Sequence, residues 1–387
     1  MTDTTTRPLS ETPPTGVPHV DPSGPALTEA PLNVHELRAA ALQRMREGAF
    51  GQEMWDYLEG GSGDERSLRW NEEAWGEIRL APRCLVGVDA IDTSVELFGS
   101  RVASPIGLSP AASHRIWHDD GELGVVDAAN EAGMVYCQST LGTASMEDVA
   151  ARATGPLWFQ LYVRRDRELT ASLALRAAAA GYQALVVTVD TPVLGARDTD
   201  RRRSVRLPAG LSFANLPAQT ARVEDPLPAH RRVYVERLDP TLTWKDITWL
   251  AELTDLPVVV KGVLRADDAS RALDHGARGV WVSNHGARNL DTVVPTAQAL
   301  PAVAAEVAGR VPVVVDSGVR RGTDVLKALC LGADAVFVGR PYLYGLAAAG
   351  REGALAALHM LDTELRMAMG LCGAPRLADL GPDLLWH

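Results

Sequence analysis

Eight short β-branched runs, each closing on polar or glycine-bearing residues and each followed by an Ala/Leu-rich stretch, constrain this chain more than any other feature. They are SPIGLSP (104–110), VYCQST (135–140), LWFQLYV (157–163), ALVVTVD (184–190), PVVVKGV (257–263), GVWVSNHG (279–286), PVVVDSGV (312–319) and AVFVGRP (335–341). Strand runs alternating with helical stretches are the pattern of βαβ units. Eight of them predict a (β/α)8 TIM barrel, whose chemistry belongs at the C-terminal ends of the strands.

Those ends carry Ser139 and Thr140, Gln160 and Tyr162, Thr188 and Asp190, Lys261, Ser283 to His285 with Arg288, Asp316 with Arg320, and Gly339 with Arg340. Stability alone gives a barrel no reason to gather a histidine, a lysine, two aspartates and several arginines around one mouth. The run DSGVRRGTDVLKA joins a glycine turn and Arg320–Arg321 to a helix, and VGRP follows the eighth strand. Loops seven and eight of a barrel commonly hold a phosphate this way. No Gly-x-Gly-x-x-Gly or Walker pattern is present, which disfavours a nicotinamide site.

Lys261 ends an apolar strand, so its ammonium enters the mouth and needs an anionic partner. It suits either a Schiff-base lyase or the stabilisation of negative charge on a reduced flavin ring. SNHGAR decides for the second, because it sets His285 and Arg288 together as a base beside a carboxylate anchor, with Asp190 available to hold the imidazole. His114 and His118, beside Asp119 and Asp120, lack a further ligand for a metal, so no metal site is expected.

Beyond the barrel, residues 1–33 are rich in Thr, Pro, Ser and Gly and read as a disordered tail before one domain over 34–387. That domain opens with a helical cap, HELRAAALQRMREG and then WDYLEGGSGD. After Asp190 about 50 residues pass before the helix at Thr243, a length typical of a functional or mobile loop. Its basic start is expected to be ordered and residues 209–235 mobile.

Thirty-eight Lys and Arg against 49 Asp and Glu leave a net charge of −11, which argues against nucleic-acid or membrane partners. No apolar run approaches the roughly 20 residues of a membrane span. A cytoplasmic protein is expected, with Cys84, Cys137, Cys330 and Cys372 as buried thiols.

From about residue 34 to 380 the chain resembles the FMN-dependent 2-hydroxy acid oxidases and dehydrogenases, the family of glycolate, lactate and hydroxymandelate oxidases and mandelate dehydrogenase. The resemblance rests on SNHGAR with Leu290 and Asp291, WFQLY, TVDTPVLGAR, VKGV and DSGVRRGTDVLKAL…VGRP, in order. It implies FMN contacts from Pro110, Ala111, Ala112, Ser139, Gln160, Thr188, Lys261, Ser283, Asp316, Ser317, Gly318, Arg320, Gly339 and Arg340. It also implies substrate binding by Tyr57, Tyr162, Arg197 and Arg288, with His285 as base and Asp190 as its partner.

The implied reaction is oxidation of an (S)-2-hydroxy acid to the 2-keto acid, with O2 as acceptor and a homotetrameric assembly. A dehydrogenase serving a quinone or protein acceptor, and a decarboxylating lactate monooxygenase, remain alternatives within the family. Leu141 stands where relatives acting on small acids often carry an aromatic residue, so the expected substrate is either lactate-like or, in a roomier pocket, mandelate- or hydroxymandelate-like. Ala112 where some members have glycine, and a polar loop after strand four, favour O2.

Overall fold

The computed structural model describes residues 30–47, 51–199, 207–208, 210–217 and 238–386. All eight predicted runs form strands: β1 (Ile106–Leu108), β2 (Val135–Ser139), β3 (Leu157–Leu161), β4 (Ala184–Thr188), β5 (Val258–Val263), β6 (Gly279–Val282), β7 (Val313–Val315) and β8 (Ala335–Val338). Each pairs in parallel with its sequence neighbours, and β8 closes on β1 through Val336 opposite Ile106, giving a closed barrel. Buried on both faces, the strands are apolar nearly throughout, which is why they read as continuous runs.

Strand parity sorts their side chains into two cores. Leu157, Phe159 and Leu161 of β3 pack outward against the helices, whereas Trp158 points into the barrel with Val186, Val259, Trp281, Val314 and Phe337. Trp281 and Phe337 meet edge to face at 4.5 Å, and Trp158 stacks on Phe337 at 5.1 Å. This aromatic floor fills the barrel beneath its mouth.

Three helices precede the barrel: α1 (Val34–Glu47), α2 (Gly51–Glu59) and α3 (Arg66–Glu77). The helical cap is therefore as the sequence predicts. Helix α3 is tied to the turn after β6 by Asn71 and Asn284, a buried amide pair that exchanges hydrogen bonds of 3.0 and 2.7 Å. Trp75 of the same helix donates to Ser317 O at 3.0 Å.

The tail over 1–29, the run Arg201–Arg203 and most of the stretch expected to be mobile lie outside the described residues. Residues 210–217 contradict that expectation. Asn215 is buried and accepts from Met146 N at 2.8 Å, while Ala214 N donates to Gly142 O at 3.0 Å, docking this segment on the loop after β2. Cys84 is exposed, unlike the other three thiols.

Candidate active site

Parity also builds the site. Continuing each inward series one step past its apolar members reaches Ser139, Gln160, Thr188, Lys261, Ser283, Asp316 and Gly339, the topmost inward ring of the barrel. All but Ser283 line a cavity of about 320 Å³ at the mouth. Ser139 Oγ donates to Gln160 Oε1 at 3.1 Å, and Gln160 Nε2 donates to Thr188 Oγ1 at 2.9 Å, so the ring orients its own amide. Lys261 Nζ lies 2.8 Å from Ser283 Oγ and 3.1 Å from Asp316 Oδ2, all three buried. An ammonium held by a carboxylate is a fixed positive charge, whereas a Schiff-base nucleophile needs a neutral amine.

His285 adopts a left-handed backbone, φ 58°. Its Nδ1 is 2.8 Å from Asp190 Oδ1, which leaves Nε2 for the cavity that the ring lines. Burial opposes ionisation of Asp190, but His285, Lys261 and the Thr191 hydroxyl outweigh it and hold the carboxyl below its ordinary value. The close approach depends on Gly262, at φ 114°: a Cβ there would lie 2.6 Å from Asp190 Cβ and 2.8 Å from its Cγ.

Across the cavity, Arg197 and Arg288 flank the Tyr57 ring, with guanidinium carbons 5.9 and 4.9 Å from its centroid. Arg288 Nη1 donates to Tyr57 O at 2.8 Å and Gly60 O at 2.9 Å, so the glycine turn after α2 aims it. Two cations beside a phenol suit a substrate carboxylate. Tyr162 lines the same space, and burial, with Asp190 nearby, pushes its hydroxyl well up, so it remains a donor.

At the far end Arg320 and Arg340 converge. Burial pushes the Arg340 guanidinium below its ordinary value, and neighbouring Arg320 adds to this against the Tyr344 hydroxyl. Arg340 donates to Leu58 O at 3.0 Å and Gly286 O at 3.2 Å, and Arg320 pairs with Glu72 at 2.9 Å. The adjoining turn needs Gly318, φ 86°, since a Cβ would lie 2.2 Å from Asn71 O. Two like charges side by side, Arg320 buried and Arg340 half-buried, suit a multiply charged anion. A phosphate there, with a flat heterocycle along Gln160, Thr188 and Lys261, fits FMN.

Every site residue expected from the sequence lines this cavity except two. Asp190 stands behind His285, consistent with its expected role. Ser283 lies one layer behind the lining: its hydroxyl is buried and accepts from Lys261 Nζ and His285 N. Arg321 turns away to Glu364 at 3.0 Å. His114 is buried against Glu122 and Tyr342, His118 sits beside Asp120, and no metal-binding group occurs among the described residues.

Sequence reasoning missed Trp117, which stacks on Tyr57 at 5.9 Å, and the cavity residues Thr191, Leu194 and Asn289. Thr191 and Leu194 lay inside the quoted TVDTPVLGAR, and Asn289 between SNHGAR and Leu290, so motif adjacency could have found them.

A family profile described as FMN-dependent dehydrogenase matches residues 47–387. A 2-hydroxyacid oxidase of Dictyostelium discoideum is 42% identical over 92% of this chain and 90% of its own length. An L-lactate oxidase of Nostoc sp. is 42% identical over 92% of this chain and 98% of its own. Among solved structures, a mandelate oxidase with (S)-4-hydroxymandelic acid superposes with a TM-score of 0.84 at 40% identity, covering 92% of this chain and 98% of that one. With this closed barrel and cavity, the chain belongs to the FMN-dependent 2-hydroxy acid oxidase family and is an oxidoreductase that uses FMN.

Proposed function

We propose that this enzyme oxidises an (S)-2-hydroxy acid with a bulky apolar side chain, mandelate-like rather than glycolate-like, using His285 as base and O2 as final acceptor with release of hydrogen peroxide. The observation that carries this reading is the 2.8 Å contact between His285 Nδ1 and Asp190 Oδ1 in one cavity with Arg197, Arg288 and Tyr57. With Nδ1 committed, Nε2 takes the substrate proton and Asp190 stabilises the imidazolium that forms. Arg197 and Arg288 grip the carboxylate, and Tyr162 hydrogen-bonds the reacting oxygen.

FMN supplies the two-electron acceptor for the hydrogen lost from Cα. Lys261, backed by Asp316, presents positive charge along the cavity wall where FMN is held. Trp117, Leu141, Leu194 and Leu238 give the remaining wall an apolar character that supports an aryl side chain. Ala112 on the cavity wall supports O2 as acceptor. We further take the enzyme to be a cytoplasmic homotetramer, which its sedimentation mass tests. No described helix is long and apolar enough to cross a membrane.

Replacing His285→Gln tests the base. The variant is expected to bind FMN with an unaltered visible spectrum and to be reduced by substrate about 10²–10⁴-fold more slowly. Reduction at the parental rate would assign the proton to another group.

A further inference from the structure

We propose that Thr191 is a positioning residue for the base: its hydroxyl, gripped by Asn289, fixes the Asp190 oxygen that receives the His285 N–H. The proposal rests on His285 being the base, as read above. Thr191 Oγ1 donates to Asp190 Oδ1 at 2.9 Å, accepts from Asn289 Nδ2 at 2.7 Å, and lies 3.4 Å from His285 Nδ1. Asn289 also donates to Asp190 O at 2.9 Å and to Asp190 Oδ1 at 3.2 Å.

Three side chains therefore converge on Oδ1, while Oδ2 is buried without a hydrogen-bond partner. A hydroxyl has one proton to give. Asn289 Nδ2 can only donate to it, so that proton goes to the Asp190 carboxylate, the nearer acceptor at 2.9 Å. The carboxylate in turn takes the Nδ1 proton of His285, which sets the tautomer that leaves Nε2 free as base. Donation by Thr191 also draws charge from Oδ1 and weakens its pull on the imidazole.

Other charged and titratable groups face this pair. Lys261 approaches from β5, Tyr162 from the end of β3, and Arg197, Arg288 and Tyr57 from across the cavity. Arg340 reaches the backbone of Gly286, next to the base. None of them is altered when Thr191 is replaced, so a change in pH dependence isolates its hydroxyl.

The test compares Thr191→Val, which keeps the shape and loses the hydroxyl, with Thr191→Ser, which restores it, both as FMN-loaded full-length protein. In Thr191→Val, Asp190 becomes a stronger acceptor and favours the protonated imidazole. The acid limb of kcat/KM is expected to move up by about 0.5–1 pH unit, with Thr191→Ser following the parent. The pH dependence of keto acid binding, read from the flavin spectrum at equilibrium, is expected to move by the same amount. A Thr191→Val profile that superposes on the parent, or a Thr191→Ser profile shifted as far as Thr191→Val, overturns the proposal. If His285→Gln keeps full turnover, the base assignment has failed instead; if His285→Gln is inactive and Thr191→Val is unshifted, only the role of Thr191 has.

Discussion

Replacing Gly262→Ala adds one methyl group beside the Asp190 carboxylate that bonds His285, the proposed base. The new Cβ would stand 2.6 Å from Asp190 Cβ, 2.8 Å from its Cγ and 3.0 Å from its backbone N. Ordinary carbon contacts are about 3.5–4.0 Å, so Asp190 must recede by about 1 Å. The 2.8 Å bond to His285 then opens to a separation no longer counted as a hydrogen bond. A misplacement of about 1 Å costs on the order of 10²-fold in rate.

Stability falls as well, by about 1–3 kcal/mol for overpacking, with a further penalty because alanine resists the φ of 114°. Paired measurements of kcat/KM and thermal melting check this against Val263→Ala, which removes buried volume next door without approaching Asp190. Gly262→Ala is expected to lose about 10²-fold in kcat/KM, and Val263→Ala to lose stability with activity within about threefold of the parent. Full activity in Gly262→Ala, or equal losses in both variants, would refute the reasoning.

Replacing Lys261→Met strands the buried Asp316 carboxylate, so thermal or chemical unfolding should show a loss of about 3–5 kcal/mol, together with slower flavin reduction in stopped flow. Leu141→Phe narrows the apolar wall and should lower kcat/KM for mandelate relative to lactate by about tenfold or more. Glu122 is fully buried; burial opposes its ionisation, but His114 and Thr143 hold it at about 2 against a usual 4.5. A depressed carboxyl contributes stability that is complete above the unfolded value and is lost as pH falls from about 4.5 towards about 2. Melting temperature against pH should therefore slope down across that window in the parent, and Glu122→Gln should flatten the slope while lowering stability at neutral pH.

The barrel was legible because strands buried on both faces leave unbroken apolar runs, and the ring of Gln160, Thr188, Lys261 and Asp316 because each closes such a run. What escaped the sequence was set by approaches between distant segments. Trp117 matters only because the chain after β1 returns against Tyr57 of the cap. Gly262 reads as an ordinary glycine in VKGV until Asp190 is seen packed on it. Motif position likewise did not show that the Ser283 hydroxyl sits a layer behind the cavity lining, between Lys261 and His285. Residues 210–217 looked mobile by composition, yet Asn215 and Ala214 anchor them through bonds to Met146 N and Gly142 O.

The most direct measurement is anaerobic titration of the FMN-loaded enzyme with the (S) and (R) forms of mandelate, 4-hydroxymandelate and lactate, followed in the visible flavin band. Bleaching by an (S) acid of the mandelate type, with colour and one equivalent of hydrogen peroxide returning on admission of air, is the predicted result. A fully loaded flavin that no 2-hydroxy acid bleaches would contradict the assignment of this cavity as the site of hydroxy acid oxidation.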